Sequence, residues 1–191
     1  MPSNLVKEAD VQIGKYARIE RERRFLLHGL PLGLSSVSPH TTIRDRYIHH
    51  TRFRLRYMTA SDTNTITYKL TQKYVHSPGN FASVVITNTY LTEQEYGTFV
   101  TLPAAELRKD RYRYSVDGLH YAVDSFHGQW AGLFLAEIEV ASDHDLSAFL
   151  PPAFVLAEVT GEAAFTGGML CRSTATEVQD VIKRTLERKP T

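Results

Sequence analysis

The chain has a single cysteine, Cys171, so no internal disulfide can form, and this sparing use of thiols suits a reducing cytoplasm. No eighteen apolar residues run together, which leaves no candidate for a membrane-crossing helix. The opening MPSNLVKEADVQIGKY has no apolar core of signal-peptide length, and a cytoplasmic location is the expectation. Excess charge is missing too. With 22 basic and 21 acidic residues the net charge is +1, so no bulk field argues for nucleic acid or a membrane surface. Any electrostatic business must be local. Long linkers, low-complexity tracts and internal repeats are also absent. What remains is 191 residues, 42% hydrophobic and 23% charged, an ordinary globular composition at a length that suits one domain over 1–191.

Most segments alternate in polarity and are rich in Tyr, Thr, Val, Ile and Phe, the mark of half-buried strands. Eight stretches read this way: YARIERERRFLLH, TTIRDRYIHH, RFRLRYMTA, TNTITYKLTQKY, ASVVITNTYL, ELRKDRYRYSV, LHYAVDSFHG and GLFLAEIEVA. Asp117-Gly118 supplies a hairpin turn between two of them. About eight antiparallel strands suggest a barrel or sandwich. Three helices are placed by their caps. Thr92 with Glu95 forms a capping box, Ser142 with Asp145 does the same before Pro151-Pro152, and Thr174 with Glu177 opens a C-terminal helix over 174–188. That last helix puts Val178, Ile182 and Leu186 on one side, and Lys183, Glu187 and Arg188 on a solvated one.

Several strands devote one face to charge. Glu20, Glu22 and Arg24 share a parity in RIERERRFLL, and Arg52, Arg54 and Arg56 share one in TRFRLRY. Lys69 and Lys73, then Lys109, Arg111 and Arg113, then Glu137 and Glu139, repeat the pattern on three more strands. An ordinary sheet with its polar face in water would explain any one of these. Together they are harder to explain that way, because cations sit beside cations and carboxylates beside carboxylates, which repel unless a ligand of opposite sign joins them. An anion would settle the Arg and Lys rows, and a hard divalent cation the Glu pairs. Both needs point to a metal-complexed phosphate chain.

These residues resemble the signatures of the CYTH, or triphosphate tunnel metalloenzyme, superfamily. ERERRF is similar to its E-x-E-x-K/R motif, FRLRY to its R-x-R strand, ITYKL to its single-lysine strand and KDRY to its K-x-R-Y motif. YAVDSFHGQWAGLFLAEIEV resembles the D-x-F…G-L-x-x-A-E-I-E segment, and FVLAEVTGEAAFTGGML the late E-V-T segment, so the resemblance spans roughly residues 16 to 171. It implies a mainly β fold, an eight-stranded antiparallel barrel with flanking helices, whose bore is a hydrophilic tunnel. Charged faces would then point inward and apolar faces would meet the helices outside. It further implies that Glu20, Glu22, Glu137 and Glu139 hold Mg²⁺ or Mn²⁺. Arg24, Arg54, Arg56, Lys69, Lys109 and Arg111 would grip phosphate oxygens. Asp124, in the D-x-F position, would act with the four glutamates on the metal or water side of catalysis.

Other residues tempt a reading. Arg52, Lys73 and Arg113 lie at strand ends, where a tunnel-mouth role and a solvated role both fit. His49 and His50 are adjacent, so within a strand they face opposite ways and cannot chelate one ion, and the other histidines lack zinc spacing. Phe126 and Trp130 flank Gly128 and read as core, as does Cys171. Three segments depart from the family pattern. The fifth strand, where R-x-E-x-E is frequent, offers Val85, Thr87 and Thr89. Ala157 stands before Glu158 in place of a base, and Phe165-Thr166-Gly167 stands where Y-x-N is frequent.

The expected activity is metal-dependent hydrolysis of a phosphoanhydride bond in triphosphate compounds, inorganic tripolyphosphate first. Such chemistry needs a placed water, a neutralised phosphoryl group and a stabilised leaving oxygen, and no Ser, Cys or His nucleophile. The alternatives are an adenylate cyclase, a nucleoside or thiamine triphosphatase, and a non-catalytic barrel that binds polyphosphate. The expected partner is a triphosphate-containing small molecule or polyphosphate.

Overall fold

A computed structural model describes residues 13–75, 77 and 79–187. Residues 1–12, which include most of the segment inspected for a leader, and Arg188, placed on the last helix, lie outside the described residues. The strands are β1 (Arg18–Leu27), β2 (His40–Ile48), β3 (Phe53–Ala60), β4 (Ile66–Val75), β5 (Ser83–Leu91), β6 (Ala104–Val116), β7 (Leu119–Phe126) and β8 (Phe134–Val140). A two-residue strand, β9 (Ala157–Glu158), follows. Their order in the sheet is β5-β4-β3-β2-β6-β7-β8-β1-β9, and a further β5–β1 pairing closes it into an eight-stranded antiparallel barrel. β1 is shared along its length. Residues 18–21 pair with β5, and Phe25 and Leu26 pair with β9, so the short strand fills the edge that β5 leaves.

Register turns the alternation of each strand into an inside and an outside. Arg24 lies opposite Glu137, Glu22 opposite Glu139, Arg111 opposite Asp124, and Arg56 opposite both Asp45 and Lys69. All of these share the inner face. The inward rows do not stay charged to the end, as a wholly hydrophilic tunnel would require. Two residues beyond Arg24 comes Leu26, and Leu107, Phe126 and Leu135 similarly adjoin Lys109, Asp124 and Glu137. These four are buried with Trp130, Val159, Phe165, Leu170 and Val178. The segment after β9 therefore covers one end of the bore with an apolar cluster. Full burial of one such side chain contributes about 1.5–3 kcal/mol, and Phe165→Ala, at 1% exposure, should cost about 3–5 kcal/mol.

Outside the barrel, Phe25, Tyr112, Tyr121, Val123 and Ile138 pack beneath Leu30, Leu34, Phe149 and Phe154. Arg23, also on the outer face of β1, locks this layer. It donates to both Glu158 carboxylate oxygens at 2.5 Å and to the Leu146 and Phe149 carbonyls.

The caps behave as the sequence implies. Thr92 and Glu95 form a reciprocal box at α1 (Glu93–Phe99), Ser142 caps α2 (Asp143–Ala148), and Thr174 with Glu177 opens α4 (Ala175–Glu187). A short α3 (Gly167–Leu170) precedes α4 and has no counterpart in the sequence reading. On α4 the buried positions are Val178 and Thr185, whereas Leu186 is half exposed, because one residue of phase separates them on the helix. Asp117 and Gly118 both take positive φ, 52° and 74°, as a two-residue hairpin turn requires. His49 and His50 lie in the turn after β2 rather than in a strand, with His50 at φ 60°. No helix among the described residues is long and apolar enough to cross a membrane.

Candidate functional site

The inward charges surround a cavity of about 420 Å³. Its lining carries ten basic side chains (Arg18, Arg24, Arg52, Arg54, Arg56, Lys69, Lys73, Lys109, Arg111 and Arg172) and three acidic ones, Glu20, Glu22 and Glu137. Phe126, Leu135, Phe165 and Gly167 line its apolar end. The near-neutral chain thus concentrates positive charge in one place, where low-dielectric walls raise its effect on an anion.

Of the residues singled out from the sequence, Glu20, Glu22, Arg24, Arg54, Arg56, Lys69, Lys109, Arg111 and Glu137 all meet in this cavity. Two do not line it. Glu139 has a side chain 51% exposed and accepts from Arg18 Nη1 at 2.7 Å. Asp124 is 1% exposed and fully engaged by cations. Lys109 Nζ lies 2.5 Å from its Oδ2, and Arg111 donates Nε and Nη2 to its two oxygens at 2.6 Å each.

The acids inside are paired. Glu20 accepts from Lys73 Nζ at 2.8 Å and from Arg18 at 3.3 Å. Glu22 Oε1 accepts from Arg24 Nη2 at 2.5 Å and from Lys73 at 3.4 Å. Glu137 accepts from Arg24 Nε at 2.9 Å and from Arg111 Nη2 at 2.6 Å. Burial raises the carboxyl pKa of Glu137, but Arg111, Arg24 and Lys109 outweigh it and hold the group ionised, well below the usual carboxylate range. Glu22 goes the other way. Burial first, then the neighbouring Glu137 and Glu20 charges, push its carboxyl up.

The β3–β4 side differs. Lys69 has no ion-pair partner among the described residues, and burial followed by repulsion from Arg56 and Arg54 lowers its pKa to about 8. Arg54 approaches Asp45 only at 3.7 Å, and its buried Nε has no hydrogen-bond partner.

Of the three strand-end cations, for which a tunnel-mouth role and a solvated role both fit, Lys73 sits in the cavity between Glu20 and Glu22. Asp45 is the participant that the sequence reading missed. Asp45 binds Arg56 from β2, a strand whose Arg44-Asp45-Arg46 run puts charge on both faces and singles out neither. Arg52 lines the cavity with its guanidinium 4.7 Å from the Tyr74 ring centroid, while Arg113 is exposed elsewhere.

The departures also resolve into geometry. Val85, Thr87 and Thr89 are on the outer face of β5, a correction of one residue in phase. Val84, Ile86 and Asn88 line the cavity instead, and they too bring no carboxylate. Ala157 lies opposite Leu26, beside the apolar end. Gly167 makes room for Tyr47, since a Cβ there would stand 2.0 Å from the phenol oxygen. Phe126 and Trp130 are buried as expected, and burial pushes the Cys171 thiol up to about 12, which leaves it an inert packing residue.

Among the described residues no three His, Cys, Asp or Glu side chains are gathered as a metal centre. The acids of the lining are oxygen donors, the type that a hard divalent ion takes, but each is paired with a cation of the chain. Lys73 bridges Glu20 and Glu22, and Arg24 bridges Glu22 and Glu137. The three carboxylates are therefore linked to one another through cations of the chain.

Fold and bore together define a closed antiparallel barrel with a predominantly basic cavity and an acidic edge. Among solved structures, this chain is similar to the inorganic triphosphatase NE1496, at 21% identity and a TM-score of 0.53 over 81% of this chain and 95% of that one. A second structure, described as the hypothetical protein NE1496, gives 23% identity and a TM-score of 0.54 over 81% and 99%. At these identities the likeness establishes the barrel. No family model matches the chain, and no curated protein matches it in sequence.

Proposed function

We propose that the chain hydrolyses a phosphoanhydride bond of triphosphate compounds with the help of Mg²⁺ or Mn²⁺, and that inorganic tripolyphosphate is its first candidate substrate. The observation that carries this reading is the cavity lining, with ten basic side chains against three acidic ones, and with no carboxylate among the described residues hydrogen-bonded to Lys69 or Arg54. The resemblance of the inward rows to the tunnel signatures, and the triphosphatase among barrels of this shape, support it.

In this reading Arg54, Arg56 and Lys69 take phosphate oxygens from one side of the cavity, and Arg24, Lys109 and Arg111 from the other. Fixed positive charge there stabilises the transferring group and the leaving oxygen without reorganising as the reaction proceeds. Glu20, Glu22 and Glu137 would hold the divalent ion, with Glu139 at the edge, and the bound ion would supply Lewis-acid neutralisation of phosphate charge. Among the described residues Glu22 Oε2 accepts no hydrogen bond, and it belongs to the carboxyl pushed upward in pKa, so in this reading it takes the proton of an attacking water. Asp124 contributes by holding Lys109 and Arg111 in place.

One observation favours a second reading, a barrel that binds polyphosphate without cleaving it. β5 brings no carboxylate, and every acid lining the cavity is already paired within the chain. Phosphate release from tripolyphosphate separates the two. Hydrolysis should appear with Mg²⁺ or Mn²⁺ and vanish in excess EDTA. Binding without release under any metal favours the second reading, and undiminished release in EDTA overturns the first.

A further inference from the structure

On two strands of the bore, inward cations are tied to a buried aspartate on the neighbouring strand. On β6, Lys109 and Arg111 close on Asp124 of β7. On β3 the equivalent partner is Asp45 of β2, directly opposite Arg56 in register. Arg56 donates Nε to Asp45 Oδ1 at 2.6 Å and Nη2 to Oδ2 at 2.7 Å, a two-point fork, while Arg54 Nε lies 3.7 Å from the same Oδ1. Asp45 is 1% exposed and does not line the cavity, whereas Arg54 and Arg56 do. The fork occupies one edge of the Arg56 guanidinium and leaves Nη1 for an anion in the cavity.

We infer that Asp45 is a positioning residue for anion binding: it fixes the plane and direction of Arg56, so that triphosphate meets a guanidinium group already ordered. This rests on the reading of the cavity as a triphosphate site. Holding a long side chain in place before binding removes the ordering cost from the binding step. The competing account makes Asp45 a simple counter-charge that weakens the positive field of the bore. The two accounts predict opposite signs.

Calorimetric titration of the full chain with metal-free tripolyphosphate, at one fixed salt concentration, decides between them. Asp45→Asn keeps the volume and removes one negative charge. Positioning predicts binding about tenfold weaker, the scale of one hydrogen bond to a charged group, although the bore is now more positive. A counter-charge role predicts tighter binding. Asp45→Glu keeps the charge but moves the carboxylate by a methylene. Positioning predicts a several-fold loss there too, and the counter-charge account predicts none. If Asp45→Asn does not fold, Asp45→Glu carries the test alone. Arg56→Ala added to Asp45→Asn should cost less than the sum of the two single effects. Should the unmodified chain take up tripolyphosphate while both Asp45 variants bind as tightly or more tightly, the positioning role is overturned and the triphosphate reading stands. Should the unmodified chain bind none, both fall.

Discussion

The two walls of the cavity are both lined with charge, yet they are in opposite electrostatic states. On the β1–β8 wall, Glu20, Glu22 and Glu137 each accept hydrogen bonds from cations of the chain itself. On the β3–β4 wall, Lys69 has no carboxylate within ion-pair reach among the described residues, and Arg54 has one only at 3.7 Å. An anion can therefore dock against Lys69 and Arg54 without displacing a hydrogen-bonded carboxylate. A divalent ion can join the first only if Lys73 and Arg24 let go of their glutamates. The arriving triphosphate offers those two cations another partner. This asymmetry suggests that metal and triphosphate each prepare the site for the other.

The largest effect should come from emptying the first wall. Glu20→Gln with Glu22→Gln keeps shape but removes two charges, and metal-dependent turnover should fall on the order of 10³-fold, the equivalent of several kcal/mol of lost metal assistance. Metal-free triphosphate binding should persist or tighten, since two negative charges leave the cavity. Loss of both together, with loss of the folded far-ultraviolet circular dichroism signal, would mean that the glutamates serve as structural ion pairs.

Next comes the second wall. Arg54→Ala should weaken triphosphate binding by about 1.5–3 kcal/mol. It is a cleaner probe than Arg56→Ala, which strands Asp45 as a buried unpaired charge and should cost about 3–5 kcal/mol of stability as well. Lys183→Ala, on the exposed side of α4, should change neither quantity. Equal binding losses from Arg54→Ala and Lys183→Ala would place the anion elsewhere.

The smallest effect is a pH dependence from Lys69. Its pKa in the folded chain is lowered to about 8 from 10.5, by burial and then by Arg56 and Arg54. Between those values the unfolded chain holds the proton more firmly, so this group adds stability as pH rises above about 8. Bound triphosphate favours the charged ammonium, so affinity should fall over the same interval. Stability and affinity thus move in opposite directions. Titrations from pH 7 to 9.5 check this, with Lys69→Arg as the variant that should flatten the affinity profile. An unchanged profile in that variant would remove Lys69 from the anion site.

Much of this was legible in the sequence wherever alternation was clean. FRLRY and LAEIEV put charge on one parity only, and RIERERRF puts both its carboxylates on one parity although Arg21 and Arg23 occupy the other; the register brings the inward parities together around the cavity. Caps fixed the three longer helix starts for the same local reason. β5 was harder. VVIT is apolar on both faces, so nothing in its pattern sets the phase, and the inward residues are Val84, Ile86 and Asn88 rather than their neighbours. Asp45 was hidden by flanking arginines of the other parity. The four-residue α3 and two-residue β9 are too short to show a period, and their positions depend on packing over the apolar end of the bore.

The coupling between the walls is tested most directly by calorimetric titration of the unmodified chain with Mg²⁺ or Mn²⁺, with and without a slowly hydrolysed triphosphate analogue. The account predicts weak metal binding alone and binding at least tenfold tighter with the analogue present. Linkage then requires the metal to raise analogue affinity by the same factor. Equal metal affinity in the two titrations would contradict it, and the paired glutamates of β1 and β8 would need another explanation.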